Sequence, residues 1–119
     1  MKQEKIGLGM ISLIGAAMAI TGILKIVGAE EAAKGFGNDT APYILAVVEF
    51  IIAALIMIPK RRLLGIILAA SYIGGIIAFS WLHEGEIPIV GVVLNVILYV
   101  GTVLYRPSLM NNSIEQPQA

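Results

Sequence analysis

Four long apolar runs divide this chain, and each approaches the length of a membrane-crossing helix. Residues 6–24, 63–82 and 87–105 contain no Asp, Glu, Lys or Arg, and residues 41–58 contain only Glu49. A helix rises about 1.5 Å per residue, so about 20 apolar residues cover about 30 Å of hydrocarbon. With 58% hydrophobic and 13% charged residues in 119, a soluble domain of this size has too little interior to hide its hydrocarbon from water. The expected fold is an all-α membrane protein, a four-helix transmembrane bundle. Its spans run over about 6–27, 41–58, 63–82 and 87–105, in a single domain covering 1–119 with a short polar tail at 107–119.

The breakers agree with these limits. Pro42 and Pro88 fall in first-turn positions, where a missing N–H costs little, and Pro59 stands where the second run should stop. Lys2, Lys5, Lys60, Arg61, Arg62 and Arg106 gather on one side of the four spans. Lys25 and Lys34 fall on the other with Glu30, Glu31, Asp39, Glu84 and Glu86. Basic residues collect at cytoplasmic ends, so both termini are expected in the cytoplasm of what reads as a bacterial plasma membrane protein. Lys2 and Lys5 ahead of "GAAMA" also fit a cleavable signal peptide, but the full spanning length of the first run favours a retained helix.

Several partner classes drop out. There is no cysteine, hence no disulfide, thiol redox chemistry or thiolate metal ligand within the chain. The formal net charge of +0 leaves no basic footprint for nucleic acid. The expected partners are membrane lipids, with a membrane-protein partner or a second copy of the chain. In the first outer connection, "AEEAAKGFGNDTAP" reads as a short helical piece ending near Gly35-Phe36-Gly37. Asp39 or Thr40 caps the next span, and Phe36 is either a lid at the interface or part of a wet turn. Asn38-Asp39-Thr40 matches a glycosylation sequon, a short pattern that carries no weight without a host. The inner "PKRR" sets topology and meets anionic headgroups.

A lone carboxylate inside an apolar run narrows the function. Facing lipid, a charge costs about 2.5–3.5 kcal/mol on insertion scales, so Glu49 should point into the bundle or a watered cavity. It lies seven residues beyond Pro42, about 10 Å below the outer end of its span, and Asn95 lies seven residues beyond Pro88. Lys25, at the outer end of the first span, is the expected partner of Glu49, its long stem reaching down while its ammonium stays near the interface. Helical spacing groups Tyr72, Ile76, Ser80 and His83 on one face, and Gly91, Asn95, Tyr99 and Thr102 on another.

These positions define an outward-side polar pocket of Lys25, Glu49, Ser80, His83 and Asn95, with Thr21, Tyr72 and Tyr99 as a second layer. The same residues fit a simpler arrangement. Lys25 and Glu49 then form a folding clamp, Asn95 bonds between helices, and "WLHEGE" is an ordinary wet interface anchored by Trp81. Adjacent His83, Glu84 and Glu86 do not supply zinc geometry, and no metal site is expected. Small residues four apart, Gly15/Ala19, Ala70/Gly74 and Gly74/Ala78, are expected to pack helices closely, and Gly74-Gly75 to bend or crowd the third span.

The combination resembles the DoxX-like family of small four-helix membrane proteins. It includes "ITGILKIVG" ending the first span, "ILAVVEFIIAALIMIPKRRLLGIILAA" across the second and third, "HEGE" at the outer turn and a last span closed by "YRP". The resemblance covers about residues 6–107 and implies a bundle with both ends cytoplasmic, in a family named for a subunit associated with thiosulfate:quinone oxidoreduction. Other relatives are linked to redox or stress functions or resemble receptor-assembly chaperones. The chain lacks cysteine, paired haem-type histidines and a flavin-binding element. The expected function is therefore a membrane accessory or binding protein for a lipid or small hydrophobic ligand, of undetermined catalytic capacity and undetermined cofactor. One alternative is a quinone-linked redox subunit, in which His83 or Glu49 exchanges protons and Asn95 or Tyr99 orients an oxygen. A small transporter is the other.

Overall fold

The computed structural model describes residues 2–110, so residues 111–119 of the expected polar tail lie outside it. Among the described residues there are five α-helices and no strand. They are α1 (Lys2–Val27), α2 (Ala29–Phe36), α3 (Ala41–Met57), α4 (Arg62–Glu84) and α5 (Ile89–Tyr105). Two segments, Lys2–Val27 and Pro59–Glu84, are long and apolar enough to cross a membrane, and a third joins them if α2 and α3, bent by 105°, count as one span. At 17 residues each, α3 and α5 reach about 26 Å, slightly short of a full hydrocarbon core.

Local chemistry explains the breaks. α2 carries Glu30 and Glu31 in its first turn and Lys34 in its last, each favourably placed on the helix dipole. It ends at Gly37, whose φ of 69° is open to glycine, with Asn38 N–H donating to Ala33 O at 3.2 Å in a Schellman-type closure. Thr40, one of the two expected caps, takes the N-cap position of α3, but without a capping bond from its side chain. Neither Asp39 nor the Thr40 side chain caps it; Asn38 Oδ1 instead accepts from Thr40 N at 2.9 Å, Ala41 N at 3.2 Å and Thr40 Oγ1 at 2.8 Å. A short Asx side chain reaches first-turn N–H groups that Thr40, already in an αR conformation, does not serve. Asn38→Ala is therefore expected to lower stability by about 1 kcal/mol in denaturant titration, and Asp39→Ala to change it by less than about 0.5 kcal/mol.

The inner turn follows from Pro59. Ile58 is extended, as a residue before proline prefers, and Pro59–Arg61 forms a single 3-10 turn leading into α4. Arg62 donates from Nε to Ile56 O at 2.8 Å, satisfying a carbonyl at the end of α3. Of the three basic residues expected to face headgroups, Lys60 and Arg61 are exposed while Arg62 is half-buried in this bond. Pro88 stands one residue ahead of its expected place, preceding α5 in an extended conformation.

The described residues form two compact units: Leu13–Ala69, and residues 2–12 together with 70–110. In the first, Ile14 and Met18 of α1, Ala46, Ile52 and Ile56 of α3, and Ile66 and Ala69 of α4 are buried. Pro42, Ala46, Glu49, Ile52 and Ile56 repeat at three- and four-residue intervals, the stripe of one helix face, so Glu49 belongs to the buried side of α3. In the second unit the buried apolar residues are Ile11, Ile73 and Leu98. Here α1 and α5 approach at Gly7 and Gly101: a Cβ on Gly7 would run into Tyr105 N and lie 2.5 Å from Gly101 O. Of the glycines expected to allow close approach, Gly15 does so in the first unit, a Cβ there lying 3.2 Å from Ile56 Cγ2, whereas a Cβ on Gly74 meets nothing within 4 Å. Large apolar side chains such as Val27, Leu82, Ile89 and Val90 are strongly exposed, a surface suited to lipid.

Candidate functional site

The lone carboxylate of the apolar segments is met by two residues of one helix. Thr21 and Lys25 are four apart on α1, which places them one above the other on the same face, and Glu49 comes from the buried stripe of α3. Lys25 Nζ lies 2.8 Å from Glu49 Oε1, a charge contact without the alignment of a directed hydrogen bond. Glu49 Oε2 is hydrogen-bonded by the Thr21 hydroxyl, which also lies 3.1 Å from Met18 O. Thr21 was expected in a second layer; it touches the carboxylate directly, because a one-turn offset on α1 points both its hydroxyl and the Lys25 stem at one spot.

Glycine lets a ring of α3 lie close against α1. A Cβ on Gly22 would lie 2.7 Å from Phe50 Cε1, so the Phe50 ring rests on the α1 backbone beside the ion pair. The two ends of the pair differ in solvent access: the Glu49 side chain is 2% exposed and that of Lys25 is 18% exposed. The carboxylate is thus a sealed anchor, and the ammonium is the end that can reach an outside acceptor. Lys25 has three N–H donors, and one carboxylate oxygen does not use them all.

The remaining candidates belong to the other unit. On α5, Asn95 Nδ2 donates to Tyr99 OH at 3.3 Å, leaving the buried Asn95 Oδ1 without a protein donor. Tyr99 itself is half-exposed. On α4, His83 is exposed and its ring stacks on Phe79, one turn earlier, with centroids 4.9 Å apart. Ser80 and Tyr72 are half-buried on the same helix.

A cavity of about 580 Å³ lies at the elbow of α2 and α3, lined by residues including Ala29, Glu30, Lys34, Asp39 and Tyr43. None of the eight candidate residues lines it. Sequence reasoning treated this segment as a lid or turn. The signal available was charge of both signs on one short amphipathic helix followed by a cap, but the 105° bend that turns it into a concavity is tertiary. Comparison with protein-family models, with curated proteins and with solved structures returns no match to the chain.

Proposed function

We propose that the protein is a small integral membrane accessory or binding protein, a four-span bundle of α1, α3, α4 and α5 with both termini in the cytoplasm. In this reading it is a DoxX-like protein of a bacterial plasma membrane, and the Thr21–Lys25–Glu49 cluster is the heart of its outward-side polar site. The buried ion pair carries the reading. An apolar side chain at position 49 would pack as well at no electrostatic risk, whereas a sealed carboxylate holding a partly exposed ammonium keeps a cation in position just inside the interface. Such a cation suits a phosphate or carbonyl oxygen of a lipid or small hydrophobic ligand. Asn95 and Tyr99 supply a second polar position on α5.

The quinone-linked alternative uses the same cation to hold a quinone carbonyl while electrons travel through another subunit. Binding of decylubiquinone to the purified protein, followed by equilibrium dialysis with and without excess phospholipid, separates the two. The accessory reading expects phospholipid to displace any bound decylubiquinone. Quinone binding that resists phospholipid and weakens at least tenfold in Glu49→Gln would replace it with the redox-linked reading. Glu49→Gln keeps the size of the side chain and its bond to Thr21 while removing the charge that holds Lys25.

A further inference from the structure

The cavity at the elbow of α2 and α3 has a chemistry of its own. Its lining carries two carboxylates, Glu30 and Asp39, one ammonium, Lys34, and the ring of Tyr43, together with the apolar Ala29 and Ala33. Lys34 is only loosely engaged, with Nζ 3.6 Å from Glu31 Oε1 and both side chains strongly exposed, a pairing of little strength in water. Two negative charges and one positive charge disfavour an anion. They match a ligand that presents a phosphate to Lys34 and an ammonium to Glu30 and Asp39, with the Tyr43 ring available to the cation. A primary ammonium, with three N–H donors, serves two carboxylates better than a quaternary one, which has none.

Position selects the source of this ligand. α2 meets α3 at 105°, so wherever α3 is upright in a bilayer α2 lies along the surface, at headgroup level. Val27, Ile44 and Tyr43 are exposed around this elbow and offer apolar surface to the glycerol and upper acyl region. We propose that the elbow binds the headgroup of a phosphoethanolamine lipid from the outer leaflet. The proposal rests on α3 being a membrane span and, for the choice of leaflet, on both termini being cytoplasmic, but not on the function of the Lys25–Glu49 cluster.

The test is native mass spectrometry of the full chain released from detergent micelles doped with equal amounts of phosphatidylethanolamine, phosphatidylcholine and phosphatidylglycerol of identical acyl chains. The wild type is expected to retain phosphatidylethanolamine about three- to tenfold over either competitor, the range that two or three exposed charge contacts provide. Glu30→Gln with Asp39→Asn should abolish the preference over phosphatidylglycerol, and Lys34→Met should reduce total phosphatidylethanolamine adducts. Water-soluble phosphoethanolamine at millimolar concentration should compete; failure to compete overturns headgroup recognition. Equal retention of all three lipids, or a preference unchanged in both variants, overturns the proposal, as does retention of phosphatidylcholine equal to that of phosphatidylethanolamine. Circular dichroism of each variant must match the wild type, and the charge-conserving variant Lys34→Arg should retain the adducts. Micelles have no sides, so these results are independent of topology. Reagent labelling of Asp39→Cys in intact cells, clean in a chain without cysteine, tests the outward placement separately.

Discussion

Lys25→Met is expected to destabilise the protein by about 3 kcal/mol, seen as an earlier midpoint in unfolding by SDS from mixed micelles. Truncating one member of a buried ion pair typically costs about 3–5 kcal/mol because the other charge is left uncompensated, and the partial exposure of Lys25 places this pair at the lower end. Glu49→Gln should be milder, since Lys25 can move its ammonium toward water and the Thr21 hydroxyl keeps an acceptor. The double substitution Lys25→Met with Glu49→Leu should recover most of the loss, to within about 1 kcal/mol of the wild type, because apolar pairs replace buried ion pairs with little penalty. An unchanged midpoint in Lys25→Met would mean that the pair does not hold α1 to α3. The double variant also separates roles: a folding clamp is dispensable once its charges are gone together, whereas a binding site is lost even when stability returns.

Gly7→Val should be at least as damaging, by about 3 kcal/mol or more in the same assay. The atoms that a Cβ would strike at Gly7 are backbone atoms of α5, Tyr105 N and Gly101 O, so no rotamer change relieves the clash and the helices must part. Gly9→Ala is the internal control on the same helix. A Cβ there meets nothing within 4 Å, and replacing a mid-helix glycine with alanine should stabilise by about 0.5–1 kcal/mol. If both variants shift the midpoint in the same direction, the α1–α5 approach described above is wrong.

The outlines of the helices were legible because they depend on local properties. Charge-free stretches, Pro42 and Pro59 and the Gly37 stop each act within a few residues, and α3 and α4 begin and end within two residues of the limits that hydropathy suggests. The pairing of Lys25 with Glu49 was legible for a related reason: a buried charge needs an opposite one, and few are available at that depth. Thr21 as a direct partner of the carboxylate was not, since it depends on the rotation of α1 about its axis. The glycine contacts were legible only in part: Gly15 meets Ile56 as its spacing suggests, Gly74 meets nothing, and Gly7 has no small residue four away to mark it. A four-residue spacing marks a smooth face but not whether a neighbour lies against it, which is where Gly15 and Gly74 differ.

The sequence alone determined that this chain is helical and suited to lipid, where its helices stop, and that Glu49 requires a cationic partner. These follow from solvation free energies and backbone geometry, which act residue by residue. Tertiary structure decided which helix faces meet, so it alone seated Thr21 on the carboxylate and bent α2 against α3 into a cavity. Those outcomes depend on how two helices rotate and cross, a choice made by the packing of whole surfaces, which no local pattern encodes.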